Sequence, residues 1–412
     1  MKKLVIAALC CATSAVPAMA QIGHVHDSSC NHQYSENQGA LSTTGLNATT
    51  NSTAGGGMKF ILNNLGGVEE GTDAFRGFQA AAAIWSNLFT DDITIRLDVR
   101  FSQLAPNVLG STGSTTNTIN YAGLKGLMAA DAKSVFDNAA VGSLQSGAAL
   151  AFVSNEAGNC SPISNASCQA INSNTRVLDN DNTFDNLNIQ INTAQVKALG
   201  LNPVYNAGSN PGGRDGSVSF SNQFDWDFDR SDGLDPTKID FIGVAAHEIG
   251  HALGFRSGVD LADVNANVNA AGLDGLAWGT VNDLFRYGDF GGAQTLDWSI
   301  GGTRCFSINA GQNCLALLST GRTWGDGRQA SHWKDDALTG LTLGIMDPTA
   351  TGPGGTRPFQ AITQLDLIAF DVMGYDLRVP EPATWAMMIS GFGFVGAAMR
   401  RRRRISTQVT FA

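Results

Sequence analysis

The chain from residue 58 to residue 102 changes hydrophobic rhythm twice. Met58 to Leu62 is a short apolar run that predicts a strand. Thr72 has the side chain of a helix N-cap. After it, Phe75, Phe78, Ala82, Trp85 and Phe89 recur at helical spacing. Ile93, Ile95, Leu97, Val99 and Phe101 then alternate with polar residues, as in a half-buried strand. Residues 105–185 are weakly patterned and rich in Ala, Ser, Asn and Gly. They predict one helix across Tyr121 to Ala140 and long loops elsewhere. Leu187, Ile189 and Ile191 alternate as a further strand, and Asp215-Gly216 leads into another that carries Val218 and Phe220. Phe241 to Phe255 is an apolar, helix-forming run with Gly254 suited to its end. A long stretch of loops and short elements follows. The last helix begins after Thr363, with Leu365, Ile368, Ala369 and Val372 on one face and Gly374 as its stop. The mixture predicts an α+β fold.

The two ends read as addresses. Residues 1–20 place Lys2 and Lys3 before an apolar run and Ala18-Met19-Ala20, the form of a secretory signal peptide. At the other end, Pro380-Glu381-Pro382 precedes an apolar run from Ala383 to Met399 and the basic cluster Arg400 to Arg404. That run is just long enough to cross a thin bilayer as a transmembrane helix, with the arginines on the cytoplasmic side. This tail resembles the PEP-CTERM sorting signal of Gram-negative bacteria. The resemblance implies exosortase-type sorting machinery as a partner and delivery to the cell surface or extracellular matrix. A plain C-terminal anchor is the alternative. Membrane contact is expected only through this segment.

The ends hold 7 of the 26 basic residues and 1 of the 36 acidic ones, so the body keeps 19 against 35. An acidic body of this kind argues against nucleic acid as a partner. Cys10 and Cys11 leave with the signal. In an oxidising compartment Cys160–Cys168 and Cys305–Cys314 read as local disulfides, and Cys30 is left over. The expected layout is a signal peptide at 1–20, a polar leader at 21–57, a catalytic domain at 58–378 whose upper lobe runs to about 255, the sorting segment at 379–404, and a tail at 405–412. The leader holds His24, His26, Cys30 and His32. They read as incidental surface residues, as an accessory metal site, or as a removable inhibitory segment whose Cys30 thiolate caps a metal.

All six histidines fall in the leader or in one downstream constellation. Its centre is His247-Glu248-x-x-His251. On a helix, residues four apart project from one face, so His247 and His251 can hold one ion. Glu248 lies beside them as a general base. Catalytic zinc usually takes three protein ligands and keeps one position open. Four residues compete for the third place: Ser257, Asp260, Asp263 and His332. A neutral hydroxyl is a poor ligand; the carboxylates are serious rivals; His332 is the histidine between this helix and the C-terminus. Asp225, Asp227, Asp229 and Asp232 form an acidic run that lacks the Gly and Glu of an EF-hand. It reads as a solvated strand face, with a calcium site as the sharper alternative.

The constellation resembles the metzincin zinc proteases, and among them the leishmanolysin-like branch, whose third histidine comes far downstream. The carriers are His247-Glu248-x-x-His251-Ala252-Leu253-Gly254-Phe255, then Ser331-His332-Trp333, then Met346 with Pro348 two residues on. In the compact metzincin motif the third histidine would stand where this chain has Ser257. The resemblance implies a metzincin-like domain: a mixed twisted sheet, an active-site helix, long loops and a smaller lobe after the helix. It implies His247, His251 and His332 as Zn²⁺ ligands, Met346 as the Met-turn beneath them, and Glu248 as the catalytic base. The expected activity is a secreted zinc endopeptidase that hydrolyses peptide bonds through a zinc-bound water. By analogy, residues 216–221 would form the edge strand that pairs with a peptide substrate. A non-catalytic surface or matrix protein with a structural zinc site is the main alternative. Glu248 speaks against it, since a structural site needs ligands but no base. Zinc-dependent hydrolysis of another bond is the third reading.

Overall fold

The computed structural model describes residues 57–157, 171–266, 273–350 and 361–378. The signal peptide, the leader with Cys30, the Cys160–Cys168 pair and the segment 379–404 lie outside them. The fold is mixed α+β. The first half holds β1 (Lys59–Asn64), α1 (Asp73–Leu88), β2 (Thr94–Ser102), β3 (Gly110–Ser114), β4 (Thr116–Asn120), α2 (Tyr121–Asp131), α3 (Val135–Ser143), β5 (Phe152–Ala157) and β6 (Ile171–Asp179). Then come α4 (Phe184–Leu187), β7 (Asn188–Asn192), α5 (Thr193–Ala198), β8 (Gly216–Ser221), β9 (Trp226–Asp227), β10 (Ile239–Asp240), α6 (Phe241–Leu253) and α7 (Val259–Asn265). The remainder is β11 (Arg286–Phe290), β12 (Ala293–Leu296), β13 (Arg304–Phe306), β14 (Ala316–Leu318), α8 (Asp336–Thr339) and α9 (Gln364–Val372).

The principal sheet has the order β1-β2-β8-β3, parallel except for β3. Ile95, Leu97 and Val99 of β2 and Val218 and Phe220 of β8 are buried in its core. Thr72 caps α1 by accepting from Phe75 N, and Phe78, Ala82 and Trp85 form its buried stripe. Helix α6 is buried along its whole length. One side meets α1, where Trp85 Nε1 donates to Ala246 O at 2.9 Å. At its start, Phe241 packs among Phe78, Phe101, Phe220 and Phe228. Asp240 caps it through Gly243 N and pairs with Arg230. Gly254 ends it at φ 125°, and a β-carbon there would also lie 2.4 Å from the Gln195 side chain.

Several expectations need correction. The helix across Tyr121 to Ala140 is two helices, because Ser134 forms a capping box and starts α3 afresh. Residues 105–185 are not mostly loop: they contain β3 to β6. β3 is built from Gly, Ser and Thr, and β4 carries Ile119 as its one apolar residue, so neither has an apolar alternation to read. The segment 216–221 is not the edge strand. It lies between β2 and β3, since β3 adds to its far side. Gly216 permits that approach: a β-carbon there would sit 2.8 Å from Gly113 O. The acidic run 225–232 is hardly a strand. Only Trp226 and Asp227 pair, and Asp227 is buried, accepting from Asp229 N and Asp235 N.

After α6 the chain builds a second sheet, antiparallel, of order β12-β11-β13-β14. The expected Cys305–Cys314 disulfide joins the start of this sheet's third strand to the loop that follows it. The β5–β6 hairpin leans on the second sheet through Trp298 N to Val153 O at 2.8 Å. Asp297 is fully buried between Arg176 and Arg304. Helix α9 returns to the first half, with Thr363 as its cap and Gly374 at φ 103° after its end. Tyr375 then donates its hydroxyl to Leu253 O at 2.6 Å, tying the C-terminal segment to the end of α6. No helix among the described residues is long and apolar enough to cross a membrane.

Candidate metal centre

His247 and His251 project from one face of α6, and His332 reaches the same point from the loop after β14. The three Nε2 atoms stand 3.0, 3.2 and 3.3 Å apart. All three side chains are buried. Each Nδ1 meets a backbone carbonyl: His247 on Ile345 O at 2.7 Å, His251 on Phe255 O at 2.7 Å, His332 on Gln329 O at 3.2 Å. A carbonyl only accepts, so each Nδ1 carries the proton. In the neutral ring the Nε2 lone pair then points inward. Burial holds His247 neutral, pushing its pKa down to about 4.

Three converging lone pairs repel one another unless a cation lies between them. Zn–N bonds of about 2.0–2.1 Å at tetrahedral angles set the ligand nitrogens about 3.3 Å apart. The triangle observed is close to one face of that tetrahedron. The donor set therefore fits Zn²⁺, and each ring donates its Nδ1 proton to a backbone carbonyl, the usual orienting partner of a ligand histidine.

Glu248, the residue after His247 on α6, is fully buried, and burial pushes its carboxyl up to about 8. Thr112 opposes that shift by donating to Oε2 at 2.6 Å. A dication nearby would lower the value further. Met346 is fully buried against α6: a β-carbon on Gly250 would lie 2.6 Å from its Sδ. Its carbonyl accepts from Trp333 N at 3.0 Å. The Met346 segment and the His332 segment are thus hydrogen-bonded neighbours. Asp366 on α9 holds both, accepting from Trp333 Nε1 at 2.7 Å and from Ile345 N at 2.9 Å.

The rival third ligands are engaged elsewhere. Ser257 donates to Asp283 Oδ1 at 2.6 Å. Asp263 accepts from Thr323 N and Trp324 N at 2.7 and 2.8 Å. Asp260 accepts from Ala330 N at 2.6 Å, from Ser331 N at 3.2 Å and from the Ser331 hydroxyl. Among the described residues, two other groups gather three potential ligands: Asp179, Asp185 and Asp274, and Asp335, Asp336 and Asp347. Asp225, Asp227, Asp229 and Asp232 are not brought together in such a group.

Sequence reasoning missed Gly110, Thr112 and Asp366, and read Asp260 as a rival ligand rather than as the anchor of Ser331. None carries a motif, and each acts through another residue rather than on a ligand site. The one available signal was Gly-Ser-Thr-Gly-Ser itself, whose alternate small residues fit under a helix.

Residues 378–404 match the PEP-CTERM protein-sorting motif. The motif implies recognition by exosortase-type sorting machinery, and export with membrane or cell-surface association in a Gram-negative bacterium. No curated protein and no solved structure matches the chain.

Proposed function

We propose that this protein is an exported zinc endopeptidase with a metzincin-like catalytic domain of the leishmanolysin-like kind, delivered to the cell surface or extracellular matrix. The observation that carries this reading is the buried triangle of His247, His251 and His332 Nε2 atoms, with the buried Glu248 next to His247 on α6. The three histidines would hold the ion; zinc supplies a Lewis acid and an acidified water. Glu248 takes a proton from the attacking water and returns it to the leaving amine. Met346 provides the apolar floor under the ligands.

The edge of the principal sheet supports a peptide as substrate. Leu109 O accepts from Ser221 N, and Thr115 N donates to Asp215 O. By antiparallel alternation, Ser111 and Gly113 turn their backbone groups to β8, and Gly110, Thr112 and Ser114 turn theirs to the open edge. An extended peptide can pair there, directly alongside Glu248.

A second reading has one observation in its favour. The matched sorting motif also suits a non-catalytic surface or matrix protein with a structural zinc site. Casein zymography, with and without a zinc chelator, separates the two. Chelator-sensitive cleavage is expected, and E248Q should retain zinc yet not cleave. A zinc-loaded wild-type protein that leaves casein and unfolded polypeptides intact would overturn the protease reading.

A further inference from the structure

We propose that Thr112 is the positioning residue for Glu248, and that strand β3 sets the orientation of this carboxylate as well as offering an edge for peptides. The inference rests on the protease reading above. Thr112 and Glu248 are both fully buried. The Thr112 hydroxyl stands 2.6 Å from Glu248 Oε2 and 3.0 Å from Glu248 O. One hydroxyl therefore ties the side chain of the base to its own backbone position on α6. A threonine is stiff about χ1, so the donor is fixed before any substrate arrives.

Gly110 completes the arrangement from the same face of β3. A β-carbon there would lie 2.7 Å from Glu248 Oε1 and 3.0 Å from Cδ and Cγ. The carboxylate is thus hooked at one oxygen by Thr112 and walled at the other by the bare backbone of Gly110. Ser114, next in the alternation, donates to His251 O at 3.2 Å. One row of small residues on one strand registers the base and the second histidine together. Because the backbone groups of that row face the open edge, a peptide bound there pairs with the residues that hold the base. Thr112 does not touch the substrate's reacting atoms; it acts through Glu248.

The test uses the purified full-length protein and a fluorogenic peptide. T112V removes the hydroxyl at nearly constant shape, T112S restores it, and G110A pushes the carboxylate off its wall without touching Thr112. T112V and G110A should each lower kcat about 10- to 100-fold with KM changed less than about twofold, and T112S should recover most of the loss. Zinc content should equal that of wild type in all three. Melting of chelator-treated protein gives a readout independent of turnover. The loss caused by T112V should be clearly smaller in the E248Q background than in wild type, because the two groups interact. Wild-type kcat in T112V, or equal melting losses in both backgrounds, would overturn the inference. If T112V fails to fold, G110A and T112S decide it by the same kcat criterion. If wild type itself cleaves no peptide, the protease reading fails, and the melting comparison still tests the hook.

Discussion

Asp260 reaches across 70 residues of chain to take hold of Ser331. Its carboxylate accepts from Ser331 N at 3.2 Å, from the Ser331 hydroxyl, and from Ala330 N at 2.6 Å. Asp260 stands near the start of α7, just beyond the helix that carries two of the candidate ligands. Ser331 immediately precedes the third. Ser257 joins the same knot, its backbone N–H donating to Ser331 Oγ at 2.9 Å and its hydroxyl to Asp283. The knot converts two distant stretches of sequence into one rigid ligand frame. It also explains why Asp260, a rival for the metal by sequence position, braces the His332 segment instead.

Replacing Asp260 by Ala should therefore weaken zinc binding although no ligand is removed. It leaves two buried amides and a hydroxyl without an acceptor, at about 1–3 kcal/mol each. Loss of such orienting partners typically costs about 10- to 100-fold in metal affinity. Competition with a fluorescent chelator measures this directly. Asp263→Ala is the control, because that carboxylate holds Thr323 and Trp324 rather than the histidine segment. Equal zinc affinity in both variants would refute the role assigned to Asp260.

His332→Ala should lose most of its zinc and all peptide cleavage. With it gone, two imidazoles remain, and the rivals Asp260 and Asp263 are committed to backbone N–H groups. Metal analysis after gel filtration at limiting zinc is the measurement. Full occupancy in this variant would show that another group completes the site.

The pattern of apolar residues made α1, β1, β2, β7, β8, α6 and α9 legible: α1, β2 and α9 bury an apolar stripe, and α6 is buried all round. Scarcity of histidine made the candidate cluster legible: His332 stood alone downstream of α6, and the structure brings it to His247 and His251. The edge strand was misplaced for a physical reason. Val218 and Phe220 gave 216–221 a readable strand pattern, but such a pattern does not reveal which side of the strand is paired. Gly110 to Ser114 has no apolar side chains at all, since its inward face must fit against Glu248 and His251. Asp260 and Asp366 were unreadable as anchors because their partners are backbone amides and an indole on segments far along the chain.

Gly250 faces Met346 across the floor of the site. A β-carbon there would lie 2.6 Å from Met346 Sδ and 3.3 Å from Trp85 Cζ2. Ala favours helix over Gly by about 1 kcal/mol. Overpacking of a filled core costs about 1–3 kcal/mol. The second effect should win, since Met346 is fully buried. Gly250→Ala should melt below wild type and bind zinc less tightly as the Met346 segment is pushed away. The companion change Met346→Ala should relieve the clash, so the double variant should recover part of the zinc affinity lost by Gly250→Ala. Additive losses would mean that the two residues do not meet in this way.

The segment around the end of α9 packs against a cluster of carboxylates with a simple pH consequence. Asp91 accepts from Asp376 N at 2.9 Å, Asp371 accepts from the Ser134 hydroxyl, and Lys133 pairs with Asp376 and Asp131. Asp137 of α3 faces the same group. Lys133 is the cation among these five acids. Burial, reinforced by the charge of Asp376, pushes Asp91 up to about 7 and Asp131 to about 6. Burial, offset in part by Ser134, leaves Asp371 at about 7. In the unfolded chain such groups titrate near about 4. The folded protein therefore binds more protons between those values, and its stability falls as pH rises through the window, levelling off above it. Melting temperature should drop between about pH 4 and about pH 7. Asp91→Asn keeps an oxygen that can accept from Asp376 N but carries no charge. It should flatten the drop and melt above wild type at the alkaline end, with little difference at the acid end. Calorimetry of both proteins across the range is the check; parallel curves would mean that Asp91 does not hold its proton in the folded state.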